Sequence, residues 1–214
     1  FDVGTGQEYW PRLMWLKEQE PEIWMNAEHI VGLNTYFKYR ATGTLTTDYS
    51  DNFIETPNSN LQERYNRILR CAELDGDLDK FPKSVPSTSC VGYLESNAAA
   101  QMGLKAGVPV FAGFTDLAAI SVGSGCIREG CTHIYLGTSS WFAEIQRNRL
   151  ENYSNLYFTL DEHFESALFS IQTGGKAYDW LIQQFYNAEK NTYGKEITKF
   201  VDSEVAQVPA GSSG

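Results

Sequence analysis

An aspartate that follows an apolar strand pattern and a glycine is placed to accept a proton at the start of a helix. Residues 112–117 (AGFTDL) run from such a strand through Gly113 into an apolar helical pattern that begins near Asp116. The positive end of a helix dipole favours an ionised carboxylate, and an ionised carboxylate can take a proton from a substrate hydroxyl. Aspartate is also a common helix N-cap, so the residues by themselves leave both roles open for Asp116.

A second candidate site is a glycine turn rich in hydroxyl groups. Residues 135–141 (YLGTSSW) read as a strand, a turn and a second strand, with Thr138 in the turn. Backbone N–H groups and hydroxyls at such a turn can bind phosphate oxygens. An ordinary polar hairpin turn is the alternative interpretation.

A third candidate site is a pair of glycines in front of a helix. Residues 173–176 (TGGK) precede the apolar helical stripe of residues 178–185. Glycine lets the backbone approach an anion closely at a helix N-terminus. Close packing of the helix against a strand would require the same glycines, so this alternative stays open. The phosphate-binding pattern G-x-x-x-x-G-K-[ST] occurs nowhere in the chain.

Cysteine and histidine positions do not predict a metal site. Cys71, Cys90, Cys126 and Cys131 have irregular spacings with no C-x-x-C, which predicts reduced, partly buried thiols. His29, His133 and His163 are far apart in the sequence. Residues 75–79 (DGDLD) fail the calcium-loop pattern, because Lys80 and Pro86 stand where that loop needs glycine and glutamate.

Composition excludes several classes of protein. The net charge of −10 argues against nucleic acid as a partner, since no net positive field is available to neutralise phosphates. Hydrophobic residues make up 42% and charged residues 21%, as in ordinary globular proteins. No apolar run reaches the roughly 18–20 residues of a membrane helix. We therefore expect no nucleic-acid or membrane partner.

The elements that must position these residues follow from hydrophobic periodicity. Helical stripes are predicted at Leu61, Tyr65, Ile68, Leu69 and Ala72, at 178–185 and at 197–205, with a shorter helix over 10–19. Further helical signals are Pro21 in a first turn, Asn34 as an N-cap, and Gly43 and Gly103 as C-terminal stops. Strands are predicted at 108–112 (buried), 132–136, 141–145 and 167–171. The first 100 residues are thus mainly helical and the rest is mixed α/β, with a boundary at residues 123–125.

Several segments resemble those of one enzyme family. Residues 11–22 (PRLMWLKEQEPE) resemble the "KLLWLKE-x-EPE" segment of FGGY carbohydrate kinases, and residues 39–51 resemble the "LTG…TDxSxAS" segment of that family. Residues 91–110 continue in the same register. Residues 113–116 and 136–140 then match two central motifs of the family, in order and at the family's spacing.

This resemblance implies a fold and an activity. The implied fold is α/β, the actin-like ATPase (ribonuclease H-like) fold, present as incomplete pieces of two domains. Residues 1–123 correspond to the C-terminal part of the sugar-binding N-terminal domain, and residues 124–214 to the N-terminal part of the nucleotide-binding C-terminal domain. The implied reaction is ATP- and Mg²⁺-dependent phosphorylation of a small sugar in the cytoplasm.

The resemblance also implies roles for individual residues. Asp116 corresponds to the general base that contacts the sugar hydroxyl. Thr138 corresponds to the threonine near the transferred phosphate, while Gly175 and Asp179 correspond to positions that line the nucleotide site. Leu117 stands where glycerol kinases have glutamine, which disfavours glycerol as the substrate. The resemblance of the GTSSW hairpin (residues 137–141) and of the helix at residues 11–22 to xylulokinase-like members favours a pentulose such as xylulose.

One alternative function remains beside the kinase interpretation, and the start of the chain can be matched to the family in two ways. The chain could be a non-catalytic actin-fold module that binds a nucleotide or a partner. Under either function, a homodimer is left open as the assembly of the protein. Asp2-Val3-Gly4-Thr5 echoes the family's D-x-G-T phosphate loop, but Thr5-Gly6-Gln7 also fits the family's "TGQ" turn before the first predicted helix. If the first fit is right, the residues between that loop and Gly6 are absent. Under both fits, segments of the family are missing from this chain, which predicts that it is a piece of a longer kinase and is inactive alone.

Overall fold

The computed structural model describes residues 9–51, 54–57, 59–147, 157–159 and 164–213. Within these residues the mainly helical first half and the mixed second half follow the predicted order. The α-helices are α1 (Tyr9–Gln19), α2 (Pro21–Asn26), α3 (Leu33–Thr42), α4 (Ser59–Cys71), α5 (Ser96–Met102), α6 (Asp116–Gly123), α7 (Gly175–Phe185), α8 (Asn187–Tyr193) and α9 (Ile197–Val205). Short 3-10 helices occupy Asp75–Lys80, Gly194–Glu196 and Ala210–Ser213.

The strands form three separate sheets in the described residues. They are β1 (Thr47–Asp48), β2 (Ser84–Val85), β3 (Cys90–Tyr93), β4 (Pro109–Phe111), β5 (Thr132–Leu136), β6 (Ser140–Gln146), β7 (Tyr157–Thr159) and β8 (Glu165–Ile171). Strands β1 and β2 pair in parallel, whereas β3 and β4 pair antiparallel with Cys90 opposite Phe111. The remaining strands form one four-stranded sheet in the order β5-β6-β8-β7.

Helix α4 shows how apolar spacing produces the core. Its apolar residues recur every three to four positions, so they share one face of the helix. The predicted stripe is confirmed, because all five of its residues are less than 6% exposed: Leu61, Tyr65, Ile68, Leu69 and Ala72. Trp10 of α1 packs its ring against Tyr65 with the ring centroids 5.8 Å apart.

The predicted helix ends are confirmed at three positions and wrong at one. Pro21 begins α2, and Gly43 and Gly103 end α3 and α5 with φ of 69° and 67°. Asn34 was predicted to cap α3, but Gly32 occupies the N-cap position and Asn34 lies inside the helix. The side chain of Asn34 instead donates to Asp48, a long-range contact that local sequence does not reveal.

The prediction for residues 108–112 is right for the strand and wrong for its burial. Strand β4 covers most of that segment, but Val108 is 45% exposed and Phe111 is 53% exposed. This sheet has only two strands, so its apolar residues are not buried by neighbouring elements on both faces.

The four cysteines are all free, and the prediction of partial burial is right for two of them. Cys126 is buried and Cys131 is half-buried, whereas Cys71 and Cys90 are exposed.

Two compact units divide the chain, and each is described separately below. The first unit contains residues 1–133 and 143–168, and the second contains residues 134–142 and 169–214. The first has an apolar cluster at Ala118, Cys126 and Ile145, and the second has one at Ile182, Ile197 and Val201. Among the described residues, no helix is both long and apolar enough to cross a membrane.

Candidate functional site

Asp116 is the first residue of α6, in the first unit. Its side chain is exposed, and its Oδ1 accepts a hydrogen bond of 2.8 Å from the backbone N–H of Leu117. Thr115 occupies the N-cap position instead, without a side-chain capping bond. The carboxylate therefore lies at the positive end of the helix and is accessible from solvent.

The turn in front of Asp116 continues the pairing of β4. The backbone N–H of Ala112 donates to Ser89 O and that of Gly113 donates to Ser87 O, both at 2.9 Å. Gly113 has a φ of +77°, a conformation that side chains with a Cβ rarely adopt. This glycine lets the chain leave the strand and enter α6 within four residues.

A buried cluster of polar side chains lies beside this turn, with members from α3, from β1 and from the segment after β1. Lys38 and Asp48 are 5% and 0% exposed, and Lys38 Nζ lies 3.4 Å from Asp48 Oδ2. Lys38 Nζ also donates to Ala112 O at 2.7 Å. Ser50 Oγ accepts from the N–H of Thr115 at 2.9 Å, and its hydroxyl donates to Asp48. Both ends of the turn are thus bonded to one cluster.

The electrostatics of the cluster explain why it needs Lys38. Burial raises the pKa of the Asp48 carboxyl, while the hydrogen bond from Ser50 and the charge of Lys38 oppose that rise. Asn34 Nδ2 donates a further hydrogen bond of 3.0 Å to Asp48 Oδ2. With these partners, the buried carboxylate of Asp48 has both a counter-ion and hydrogen-bond donors. Loss of the cation would leave an uncompensated buried charge and strongly destabilise the folded protein.

The hydroxyl-rich turn in the second unit connects β5 to β6. Gly137 N–H donates to Ser139 O at 3.0 Å, which closes the turn around Thr138. The rings of Tyr135 and Trp141 stack with centroids 3.8 Å apart, and a Cβ on Gly137 would lie 2.6 Å from the Tyr135 ring. The Thr138 side chain is exposed.

The glycine pair of the second unit brings the start of α7 against this turn. The N–H of Gly175 donates to Gly137 O at 2.7 Å, and the N–H of Lys176 donates to Thr138 O at 3.4 Å. A Cβ at Gly175 would lie 2.6 Å from Gly137 O, and one at Gly174 would lie 1.9 Å from Ser140 Oγ. Close packing therefore requires both glycines, and the Gly175 N–H is already occupied by a carbonyl.

A cavity of about 770 Å³ lies beside this contact, entirely within the second unit. Its lining includes Thr138, Lys176 and Asp179, whose side chains are all exposed. A hydroxyl and an ammonium group can bind phosphate oxygens, so these groups fit the phosphates of a nucleotide. The predicted positions Thr138, Gly175 and Asp179 thus line one cavity.

The sequence singled out Asp116 and the residues of this cavity, but it missed Lys38, Asp48 and Ser50. For Asp48 and Ser50 the signal was the polar run TDYSD between two helices, whereas the sequence of α3 gives no such signal for Lys38. The roles of Asp116, Thr138, Gly175 and Asp179 stay predictions. Residues 2–7, with the D-x-G-T echo and the "TGQ" turn, and His163 lie outside the described residues.

Comparison with solved structures defines the class of fold. The crystal structure of xylulose kinase from Rhodospirillum rubrum superposes with a TM-score of 0.76 and 21% identity, over 97% of this chain and 42% of that chain. The predicted fold class, α/β of the actin-like ATPase type, is confirmed.

The family follows from the sequence itself. The profile described as "FGGY family of carbohydrate kinases, N-terminal domain" matches residues 7–123, more than half of the chain. The chain belongs to the FGGY family of carbohydrate kinases. The boundary predicted at residues 123/124 stays a prediction.

Two curated relatives of this chain are both named xylulose kinase. The xylulose kinase of Staphylococcus epidermidis is 26% identical over 185 residues, which are 84% of this chain and 36% of that protein. The xylulose kinase of Bacillus subtilis is 24% identical over 207 residues, which are 95% of this chain and 40% of that protein. The chain therefore spans well under half the length of these relatives.

Proposed function

We propose that this chain is part of a longer kinase that transfers the γ-phosphoryl group of ATP to a hydroxyl of a small sugar, with a pentulose such as xylulose as the substrate. The membership of the FGGY family and the names of the two curated relatives support this proposal. The observation that carries it is the exposed Asp116 carboxylate at the N-terminus of α6.

In the proposed reaction, Asp116 acts as the general base. Its carboxylate accepts the proton of the sugar hydroxyl while that oxygen bonds to the γ-phosphorus, and the bond from the γ-phosphorus to the bridging oxygen of ADP breaks. Phosphoryl transfer depends mainly on positioning and charge stabilisation, so the protein needs a placed base and phosphate-binding groups rather than a nucleophile.

The proposed nucleotide site is the cavity of the second unit. The Thr138 hydroxyl and the Lys176 ammonium group bind phosphate oxygens, and Asp179 lines the same cavity one turn further along α7. Gly175 contributes by allowing the close approach of α7 to the turn, since its N–H is bonded to Gly137 O. In this proposal Gly175 lines the nucleotide site, as the resemblance implies, and it contributes through packing rather than through a phosphate bond of its N–H.

Magnesium is part of the proposal as a companion of ATP. Among the described residues, no group of three or more His, Cys, Asp or Glu side chains could bind a metal ion. Mg²⁺ in kinases is bound largely by substrate phosphates and water, with one or two carboxylates from the protein. We therefore assign it no ligand in this chain.

The proposal is tested with the complete protein that contains this chain. Purified protein is incubated with ATP, Mg²⁺ and a panel of pentuloses, hexuloses, gluconate and glycerol, and ADP release and sugar phosphate are measured. We expect turnover with a pentulose and none with glycerol, and no turnover from the 214-residue chain alone. Nucleotide binding without transfer to any sugar would favour the non-catalytic module instead.

A further inference from the structure

A chain of hydrogen bonds connects a fully buried carboxylate to the backbone in front of Asp116. The N–H of Thr115 donates to Ser50 Oγ at 2.9 Å, and the Ser50 hydroxyl donates in turn to Asp48 Oδ1. The backbone N–H of Ser50 donates to the same Oδ1 at 3.0 Å. Consecutive hydrogen bonds that end on a charged group strengthen one another in a buried environment.

Lys38 provides a second connection from the same carboxylate to the other end of the turn. Its ammonium group donates to Ala112 O at 2.7 Å and lies 3.4 Å from Asp48 Oδ2. The side chains of Lys38 and Asp48 are almost completely buried, so water does not compete for these bonds. On either side of Gly113, residue 112 is therefore bonded directly to this charged pair, and residue 115 is connected to it through Ser50.

The place of the Asp116 carboxylate depends on the backbone of this turn. The described hydrogen bond of its side chain is to the N–H of Leu117 in the same helix, which orients the carboxylate but does not fix the helix. Thr115 is the N-cap of α6, and its carbonyl accepts the helical bond from Ala119 at 2.8 Å. A shift of Thr115 would therefore move the start of the helix and Asp116 with it.

We infer that Lys38, Asp48 and Ser50 are positioning residues for phosphoryl transfer, which set the start of α6 and so aim the Asp116 carboxylate at the sugar hydroxyl. The inference rests on the proposed function. A displaced base lowers the rate of the chemical step much more than it lowers nucleotide binding, because only the transition state needs the aligned geometry.

The chain offers a matched pair of substitutions for the test. Ser50→Ala removes the hydroxyl that accepts the Thr115 N–H. Ser87→Ala removes the same atom from another buried serine beside the turn, whose Oγ has no hydrogen-bond partner among the described residues. The backbone carbonyl of Ser87, which accepts from Gly113, is kept in that control.

The first measurement is steady-state kinetics of the complete protein with the sugar that the panel identifies. We expect Ser50→Ala to lower kcat roughly tenfold or more with the KM for ATP unchanged, and Ser87→Ala to retain wild-type kcat. An unchanged kcat in Ser50→Ala overturns the inference, as does an equal loss in Ser87→Ala.

The second measurement is amide hydrogen exchange of residues 112–117, which needs no catalytic activity. We expect faster exchange in this segment for Ser50→Ala and wild-type exchange for Ser87→Ala. Unchanged exchange in Ser50→Ala overturns the inference even if the protein has no kinase activity. If the wild-type protein phosphorylates no sugar, the proposed function fails, while faster exchange still shows that Ser50 fixes the turn.

A third variant covers the case in which Ser50→Ala does not fold. Ser50→Cys is close to the serine in size and keeps a weaker acceptor at the same place. We expect faster exchange of residues 112–117 and a lower kcat than in the wild type. Wild-type values of both in Ser50→Cys would show that the turn does not depend on the strength of this hydrogen bond and would overturn the inference.

Discussion

In the first unit, the turn before Asp116 is bonded to buried charged and polar side chains: Lys38 contacts Ala112 O, and Ser50 contacts the N–H of Thr115. In the second unit, the turn that carries Thr138 is bonded to the backbone at the start of α7, where Gly175 N–H donates to Gly137 O. One turn depends on the chemistry of distant side chains, and the other depends on the absence of a side chain. Different substitutions should therefore disrupt the two turns.

The glycines of the two turns illustrate this difference. Gly113 has a φ of +77° with open space around a Cβ, since the nearest atom would be 4.0 Å away. Gly175 has no positive φ, but a Cβ there would lie 2.6 Å from a backbone carbonyl oxygen. The first position needs glycine for its backbone conformation, and the second needs it for space.

The largest expected effect on stability is that of Lys38→Met. This substitution leaves Asp48 buried without its cation, which should lower the free energy of unfolding by about 3–5 kcal/mol at neutral pH. Urea unfolding measures the loss, and the double variant Lys38→Met/Asp48→Asn should recover a large part of it. A double variant no more stable than the single one would contradict the ion-pair explanation.

The same variant should show a characteristic pH dependence. Burial already raises the pKa of the Asp48 carboxyl, and loss of Lys38 raises it further. A folded-state pKa above that of the unfolded chain means that the folded state takes up the proton first. The variant should therefore become more stable relative to wild type as pH falls through the raised pKa towards the ordinary value of about 3.9. A stability deficit independent of pH in this window would argue that Asp48 is not the source of the penalty.

The next effect is that of Gly175→Ala in the second unit. The added methyl group must displace a backbone carbonyl, which should cost about 1–3 kcal/mol and separate α7 from the turn at Thr138. Gly123→Ala is the control, since no atom lies within 4 Å of its Cβ position and its φ is not positive. That control should match or slightly exceed wild-type stability in the same unfolding experiment. Equal losses in both variants would mean that space is not the reason for glycine at position 175.

The smallest effect is expected for substitutions at Gly113. Gly113→Ala should lower the free energy of unfolding by about 1 kcal/mol. The left-handed conformation strains a residue with a Cβ, and the reduced freedom of the unfolded chain offsets only part of that strain. Gly113→Asn should cost less, since asparagine tolerates that conformation. At position 175, Gly175→Asn should lower the free energy of unfolding at least as much as Gly175→Ala. The opposite ranking at either glycine would contradict the distinction between conformation and space.

The sequence predicted helices and strands well where residues close together in the chain determine their position. The stripe of α4 and the glycine stops of α3 and α5 are local signals, and the structure confirms them. The strand at 132–136 and the helix start at Asp116 were likewise predicted and confirmed.

What the sequence could not predict depends on contacts between distant segments. Nothing in the pattern of α3 indicates that Lys38 is buried, because its partners Asp48 and Ala112 lie 10 and 74 positions away. The same contacts draw Asn34 into the cluster and away from the cap position that local preference suggested. The occupied N–H of Gly175 also depends on a contact with residue 137 that no motif reveals.

The central claim is that Asp116 accepts the proton of the sugar hydroxyl, and Asp116→Asn tests it most directly. The complete protein and this variant are compared in kcat at saturating ATP and sugar, with Asp79→Asn as a control that removes another exposed aspartate carboxylate from the same unit. The account predicts that kcat falls roughly 100-fold or more for Asp116→Asn, the contribution typical of a general base, and stays unchanged for Asp79→Asn. A kcat of Asp116→Asn equal to that of the wild type would contradict it.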